Sequence, residues 1–154
     1  MNYCNADVVF QEVPNEIAIS YTISGCPNMC EGCHSAHTWD PTGGIALTKS
    51  TIKAHVDAYC GMITCVCFFG GEWLPIELSS MLQFVSEELK LKTALYTGLE
   101  NMQDQRILKY LDYLKTGPWI AELGGLSSPT TNQRFVNVKT GELLTHLFIK
   151  DFNL

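Results

Sequence analysis

Met62-Ile63-Thr64-Cys65-Val66-Cys67-Phe68-Phe69-Gly70-Gly71-Glu72 is a nearly continuous apolar run stopped by two glycines. Such a run suits a strand buried on both faces, as in the middle of a parallel sheet. Upstream of it, Leu47-Thr48 opens a helix to about Tyr59, with Ile52, Val56 and Tyr59 on one stripe. Downstream, Pro75 opens a second helix along Leu78, Met81, Leu82, Val85 and Leu89. Lys92 to Thr97 reads as a short strand closed by Gly98, Met102 to Leu111 as a third helix, and Tyr113 to Thr116 as a strand before Gly117-Pro118. At the front, Val8 to Val13 and Ile17 to Ile23 form a hairpin through Pro14-Asn15-Glu16. At the back, Phe135 to Val138 and Leu143 to Ile149 read as closing strands, the second open to a helical reading. The alternation predicts an α/β protein with a mostly parallel sheet and right-handed crossovers. A full eightfold barrel takes about 250 residues, and this chain has 154. The expectation is therefore an incomplete, open (β/α) barrel, one domain over residues 1–154.

In such folds the working groups sit at the carboxyl ends of the strands. Cys26, Gly70 to Glu72, Thr97 and Gly117 all follow strand ends and so share one rim. The densest chemistry there is Cys26-Pro27-Asn28-Met29-Cys30-Glu31-Gly32-Cys33, with spacing C-x3-C-x2-C. Thiolates suit iron–sulfur clusters, zinc and copper(I). Three ligands are one short of a closed four-ligand site, so a 4Fe–4S cluster held here keeps one iron open. Gly25 and Gly32 let the backbone approach a bulky cluster, and Pro27 stiffens the first gap. Two other readings remain. His34 could complete a Cys3His zinc knuckle in a non-catalytic adaptor, although no second C-x2-C pair completes the usual zinc framework. A disulfide-rich secreted loop is weaker, because the first forty residues carry no Lys or Arg and no signal peptide is evident.

Composition narrows the function classes. Apolar residues make up 46% of the chain, enough for a folded core. The net charge is −6, with no basic stretch, which argues against a nucleic-acid partner. No apolar run is long enough to cross a membrane. Seven cysteines without an export signal point to a reducing, cytoplasmic location. Cys65 and Cys67 share one side of their strand and read as small buried hydrophobes, and Trp39 reads as a core aromatic.

The cysteine loop after a first strand, followed by Gly70-Gly71-Glu72 after the next buried strand, resembles the radical S-adenosylmethionine (SAM) superfamily. VPNEIAISYTISGCPNMCEGCHSAHTW, FFGGEW, YLKTGPW and SSPTTNQRF, in that order, resemble the family of activating proteins of anaerobic ribonucleoside-triphosphate reductase. Two departures from the wider superfamily are visible. Gly32 stands where many members carry an aromatic residue, a shift that favours the activases, and Trp73 stands where proline is common. The resemblance implies a radical SAM type of open barrel and a 4Fe–4S cluster on Cys26, Cys30 and Cys33. It implies S-adenosyl-L-methionine bound with the help of Gly70, Gly71, Glu72, Thr97 and Arg134, Arg134 taking a carboxylate of SAM or of the partner. A 5′-deoxyadenosyl radical would then install a glycyl radical on class III reductase. With cofactor-based chemistry, no side chain is expected to be catalytic itself. The implied partners are the reductase and a one-electron donor such as a flavodoxin, and a homodimer is allowed. An activase of another glycyl-radical enzyme, or another small radical SAM enzyme, is the alternative. A barrel lacking its last strands would be open at the side, which favours a polypeptide glycine over a small metabolite as substrate.

Overall fold

A computed structural model describes residues 1–33 and 35–149. Seven strands form one sheet: β1 (Asn2–Val9), β2 (Ala18–Ile23), β3 (Ile45–Ala46), β4 (Cys65–Phe69), β5 (Lys92–Tyr96), β6 (Tyr113–Thr116) and β7 (Arg134–Asn137), in spatial order β3-β1-β2-β4-β5-β6-β7. The inner pairings β2–β4, β4–β5 and β5–β6 are parallel. The flanking pairings, β1 with β2, β1 with β3 and β6 with β7, are antiparallel. The sheet is thus parallel in its middle only, because a hairpin at one side and a return strand at the other both reverse direction.

Helices α1 (Lys49–Ala58), α2 (Pro75–Gln83, continued by a π-turn over Phe84–Glu88) and α3 (Gln105–Leu108) connect the parallel strands. Thr48 caps α1 by accepting the Thr51 N–H, an arrangement that stabilises by about 1 kcal/mol. Pro75 sits in the first turn of α2, where its missing donor costs nothing. The apolar sides of these helices, through Ile52, Leu78, Leu82 and Ile107, bury Ile19, Tyr21, Val66, Phe68, Leu95 and Leu114 on one face of the sheet.

The opposite face carries no helix crossover among the described residues. Its side chains fall into register rows. Ala18, Cys65 and Lys92 make the first, Ser20, Cys67, Ala94 and Tyr113 the second, and Thr22, Phe69, Tyr96 and Lys115 the third. Loop residues Val13 and Leu126, with Phe148, cover the lower rows. Cys65 and Cys67 are fully buried there, and burial raises both thiols well above their ordinary range.

Several elements differ from the sequence reading. β1 starts at Asn2 and stops at Val9, so the expected strand at Val8 to Val13 is displaced toward the front of the chain. The short β3 falls in a stretch read as loop, and Gly44 permits it: a Cβ there would overlap the Tyr3 carbonyl. Only Gln105–Leu108 of the third helix is α-helical, starting where Asp104 caps the Arg106 N–H. The expected strand over Leu143 to Ile149 is a single bridge from Leu143 to Val136 followed by a 3-10 turn, Thr145–Phe148. No helix among the described residues is long and apolar enough to cross a membrane.

Replacing Cys67 by Ser puts a hydroxyl into a fully buried apolar row. Urea unfolding should show a loss of about 1–3 kcal/mol, with no change in the far-ultraviolet spectrum.

Candidate functional site

The third register row is the floor of a cavity of about 470 Å³. Its walls are the loops that follow the carboxyl ends of the strands. Cys26, Cys30 and Cys33 line it together with Gly70, Glu72 and Thr97. Trp39, Trp73, Lys115, Trp119 and Gln133 complete the surroundings. A larger hollow of about 650 Å³ lies by the β1–β2 turn, but no cysteine or charged side chain among the described residues lines it.

The cysteine loop is anchored at both ends. The backbone N–H groups of Gly25 and Cys26 both donate to the Thr38 carbonyl, at 2.6 and 3.2 Å. Cys33 N–H donates to the Cys30 carbonyl at 3.1 Å, closing a turn around the second gap. Asn28 lies so close to Gly98 that a Cβ at 98 would overlap its amide, which ties the loop to the end of β5. Burial pushes the Cys26 thiol above its ordinary range, and the backbone amides of Asn28 and Met29 pull the other way by favouring the thiolate. Ser35 N–H donates to Cys33 Sγ at 3.4 Å. Donors aimed at sulfur are what a ligating thiolate needs. No three His, Cys, Asp or Glu side chains among the described residues are grouped to hold one metal ion. In an iron–sulfur cluster the thiolates sit on separate irons, so they need not share one ion. His34, the rival fourth ligand, lies outside the described residues.

Gly70 and Gly71 both have positive φ, +85° and +104°. A Cβ on Gly70 would overlap the six-membered ring of Trp73, so the glycine is required for space as well as for conformation. The Gly71 carbonyl accepts the Leu74 N–H at 2.9 Å and starts the turn into α2. Glu72 is half-buried. Its Oε1 accepts from the Thr97 hydroxyl at 2.5 Å, and its Oε2 is buried without a partner among the described residues. Burial raises the Glu72 carboxyl, against the Thr97 bond and the Lys115 charge. Thr97 is committed to this task, since its hydroxyl also accepts the Leu99 N–H at 3.0 Å.

Lys115 is a cation that sequence reasoning missed. It is 7% exposed, and its ammonium donates to the Gly117 carbonyl at 2.7 Å. Burial lowers it to about 8, while Cys30 and Glu72 favour its charged form. The signal is present in Tyr113-Leu114-Lys115, where the period of two puts Lys115 on the Tyr113 side of the strand. The same period places Arg134 elsewhere. Arg134 is exposed and pairs with Thr116, whereas its neighbour Gln133 is buried and lines the cavity. Trp39, read as a core aromatic, is a cavity wall residue whose buried indole N–H has no partner among the described residues.

Three loop thiols over a half-buried carboxylate and a buried ammonium are the arrangement of a cluster-binding protein. The chain belongs to the 4Fe–4S single cluster domain family, whose model matches residues 17–136. It is similar to the anaerobic ribonucleoside-triphosphate reductase-activating protein of Enterobacteria phage T4, at 28% identity over 107 residues, covering 63% of this chain and 67% of the relative.

The depressed Lys115 ammonium predicts a pH dependence. It lies below the unfolded-chain value of about 10.4, so the cost of burying the charge is fully present below pH 8. Between pH 8 and 10.4 the unfolded chain binds the extra proton, and stability rises with pH from this group. Lys115→Met should remove this rise: the parent should gain stability relative to the variant by on the order of 2–3 kcal/mol between pH 7 and pH 10, as measured by urea unfolding of the metal-free, reduced proteins.

Proposed function

We propose that the chain is a single-domain radical SAM activase of anaerobic (class III) ribonucleoside-triphosphate reductase. The observation that carries this reading is the shared cavity. Three cysteines of one loop face Gly70, the free oxygen of Glu72, Thr97 and Lys115 across a space large enough for a cofactor. Family membership supports the 4Fe–4S cluster, and the phage relative's name supports the reductase as target. Strand order β2-β4-β5-β6, advancing in one direction with every crossover helix on one face, supports an open (β/α) barrel of the radical SAM type.

In this reading Cys26, Cys30 and Cys33 each hold one iron. Glu72 Oε2 accepts from the ammonium of S-adenosyl-L-methionine, a charge-assisted bond that relieves a buried, unpaired oxygen. Thr97 fixes the carboxylate through Oε1. Gly70 brings backbone to the cavity wall without a side chain between, whereas Gly71, absent from that wall, turns the chain into α2. Lys115 offsets the negative charge of thiolates and of a ligand carboxylate in a low-dielectric wall. The exposure of Arg134 favours a carboxylate on the partner over one on SAM. With both groups bound, cluster and SAM together would supply radical chemistry directed at a reductase glycine, while Cys26, Cys30 and Cys33 would hold the one and Glu72, positioned by Thr97, would orient the other. Pro27 and Met29 of the cysteine loop are exposed and lie outside the cavity lining, where a one-electron donor such as a flavodoxin can approach. Leu99 and Ile120, exposed on loops of the same rim, give a polypeptide substrate apolar contacts.

Changing Cys26, Cys30 or Cys33 singly to Ala should abolish reductive release of 5′-deoxyadenosine and reduce iron and sulfide well below about four each per chain. The unaltered protein should give the reductase a glycyl-radical signal in electron paramagnetic resonance. One tightly bound zinc and no SAM turnover in anaerobically purified protein would make the chain an adaptor instead.

A further inference from the structure

All three tryptophans of the chain line the cysteine cavity. Trp119 approaches Gly32 within the cysteine loop, and Trp73 is wedged at the loop's start, against Gly25. Its six-membered ring occupies the space that a side chain on Gly70 would need, and its Nε1 lies 3.4 Å from where a Cβ on Gly25 would stand. The indole thus spans from the end of β4 to the residue before Cys26, with its nitrogen edge toward the loop. That nitrogen is buried and has no acceptor among the described residues. The carbonyl to which Gly25 and Cys26 point, Thr38 O, already receives both of their N–H groups.

A buried N–H that finds no acceptor in the protein is expected to find one in what the cavity holds. Beside Cys26 that is sulfur. We propose that Trp73 donates its indole N–H to an inorganic sulfide at the Cys26 corner of the cluster, and so raises the cluster's reduction potential. The inference rests on the cluster reading above. Reduction adds one electron from the external donor and breaks no bond at the cluster. The added negative charge falls partly on the sulfurs, so a donor to sulfur stabilises the reduced form more than the oxidised one. Trp73 is a tuning residue and takes no part in the hydrogen transfer.

The test is Trp73→Phe in the anaerobic, cluster-loaded protein, since Phe keeps an aromatic ring and removes the donor. Redox titration followed by electron paramagnetic resonance should show one-electron reduction at least threefold less favourable than in the parent, where a tenfold change corresponds to about 59 mV. Electron–nuclear double resonance of the reduced parent should show an exchangeable proton coupling that the variant lacks. An unchanged midpoint in a fully loaded Trp73→Phe protein overturns the inference and leaves the cluster reading intact. If Trp73→Phe does not load, indole-15N labelling of a Trp39→Phe, Trp119→Phe protein, with Trp73 as its sole indole, decides. A nitrogen coupling to the reduced cluster supports the bond, and its absence overturns it. Failure of the unaltered chain to assemble any 4Fe–4S cluster overturns both the inference and the reading beneath it.

Discussion

The parallel core β2-β4-β5-β6 advances in one direction, and each crossover helix returns on the same face. That constraint organises everything else. One face is spent on helix packing through Tyr21, Phe68, Leu95 and Leu114. The other face carries no crossover helix among the described residues, so its rows are covered by loops and by the 3-10 turn that bears Phe148. Covering seals Ala18, Cys65, Ser20, Cys67 and Ala94 in the lower rows, and leaves a cavity over the row at the carboxyl ends. The cavity is therefore a product of topology, and the loops that follow the strands supply its chemistry.

Placing Glu72 and Lys115 over that row creates a buried-charge problem. Thr97 donates to one carboxylate oxygen, and the Gly117 carbonyl accepts from the ammonium. The two side chains favour each other's charged forms, yet burial acts more strongly on both. Such an arrangement is costly for stability alone and makes sense where a ligand completes it. A second charged cluster, Glu16 with Lys92 and Tyr113, lies at the opposite end of the same face. There one carboxylate oxygen receives both Lys92 and Tyr113, and no comparable demand remains.

Much of this architecture is legible in the order of residues alone. The run from Met62 to Glu72 carries the central strand and its glycine turn, and Thr48 marks the start of α1. The cysteine spacing and the positions of Gly70, Glu72 and Thr97 after strand ends place them on one rim, and they do line one cavity. What escapes depends on parity and distance. Arg134 and Gln133 differ by one residue, yet alternation sends them to opposite sides, and a motif read as a block does not register that. Lys115 sits within an apolar strand, where a lysine is easily taken for an exposed edge. The brevity of α3 follows from Asp104 capping late and the chain turning at Lys109, local events with little periodic signature. Trp39 reads as core because large aromatics usually are.

The loop cysteines and the strand cysteines meet air differently. Cys65 and Cys67 are sealed beneath Val13, Leu126 and their strand neighbours, and burial keeps them protonated and unreactive. Oxidative attack is thereby steered to sulfur on the surface and in the open cavity. An oxidant therefore meets Cys60 and the three loop thiols before it reaches the interior of the sheet.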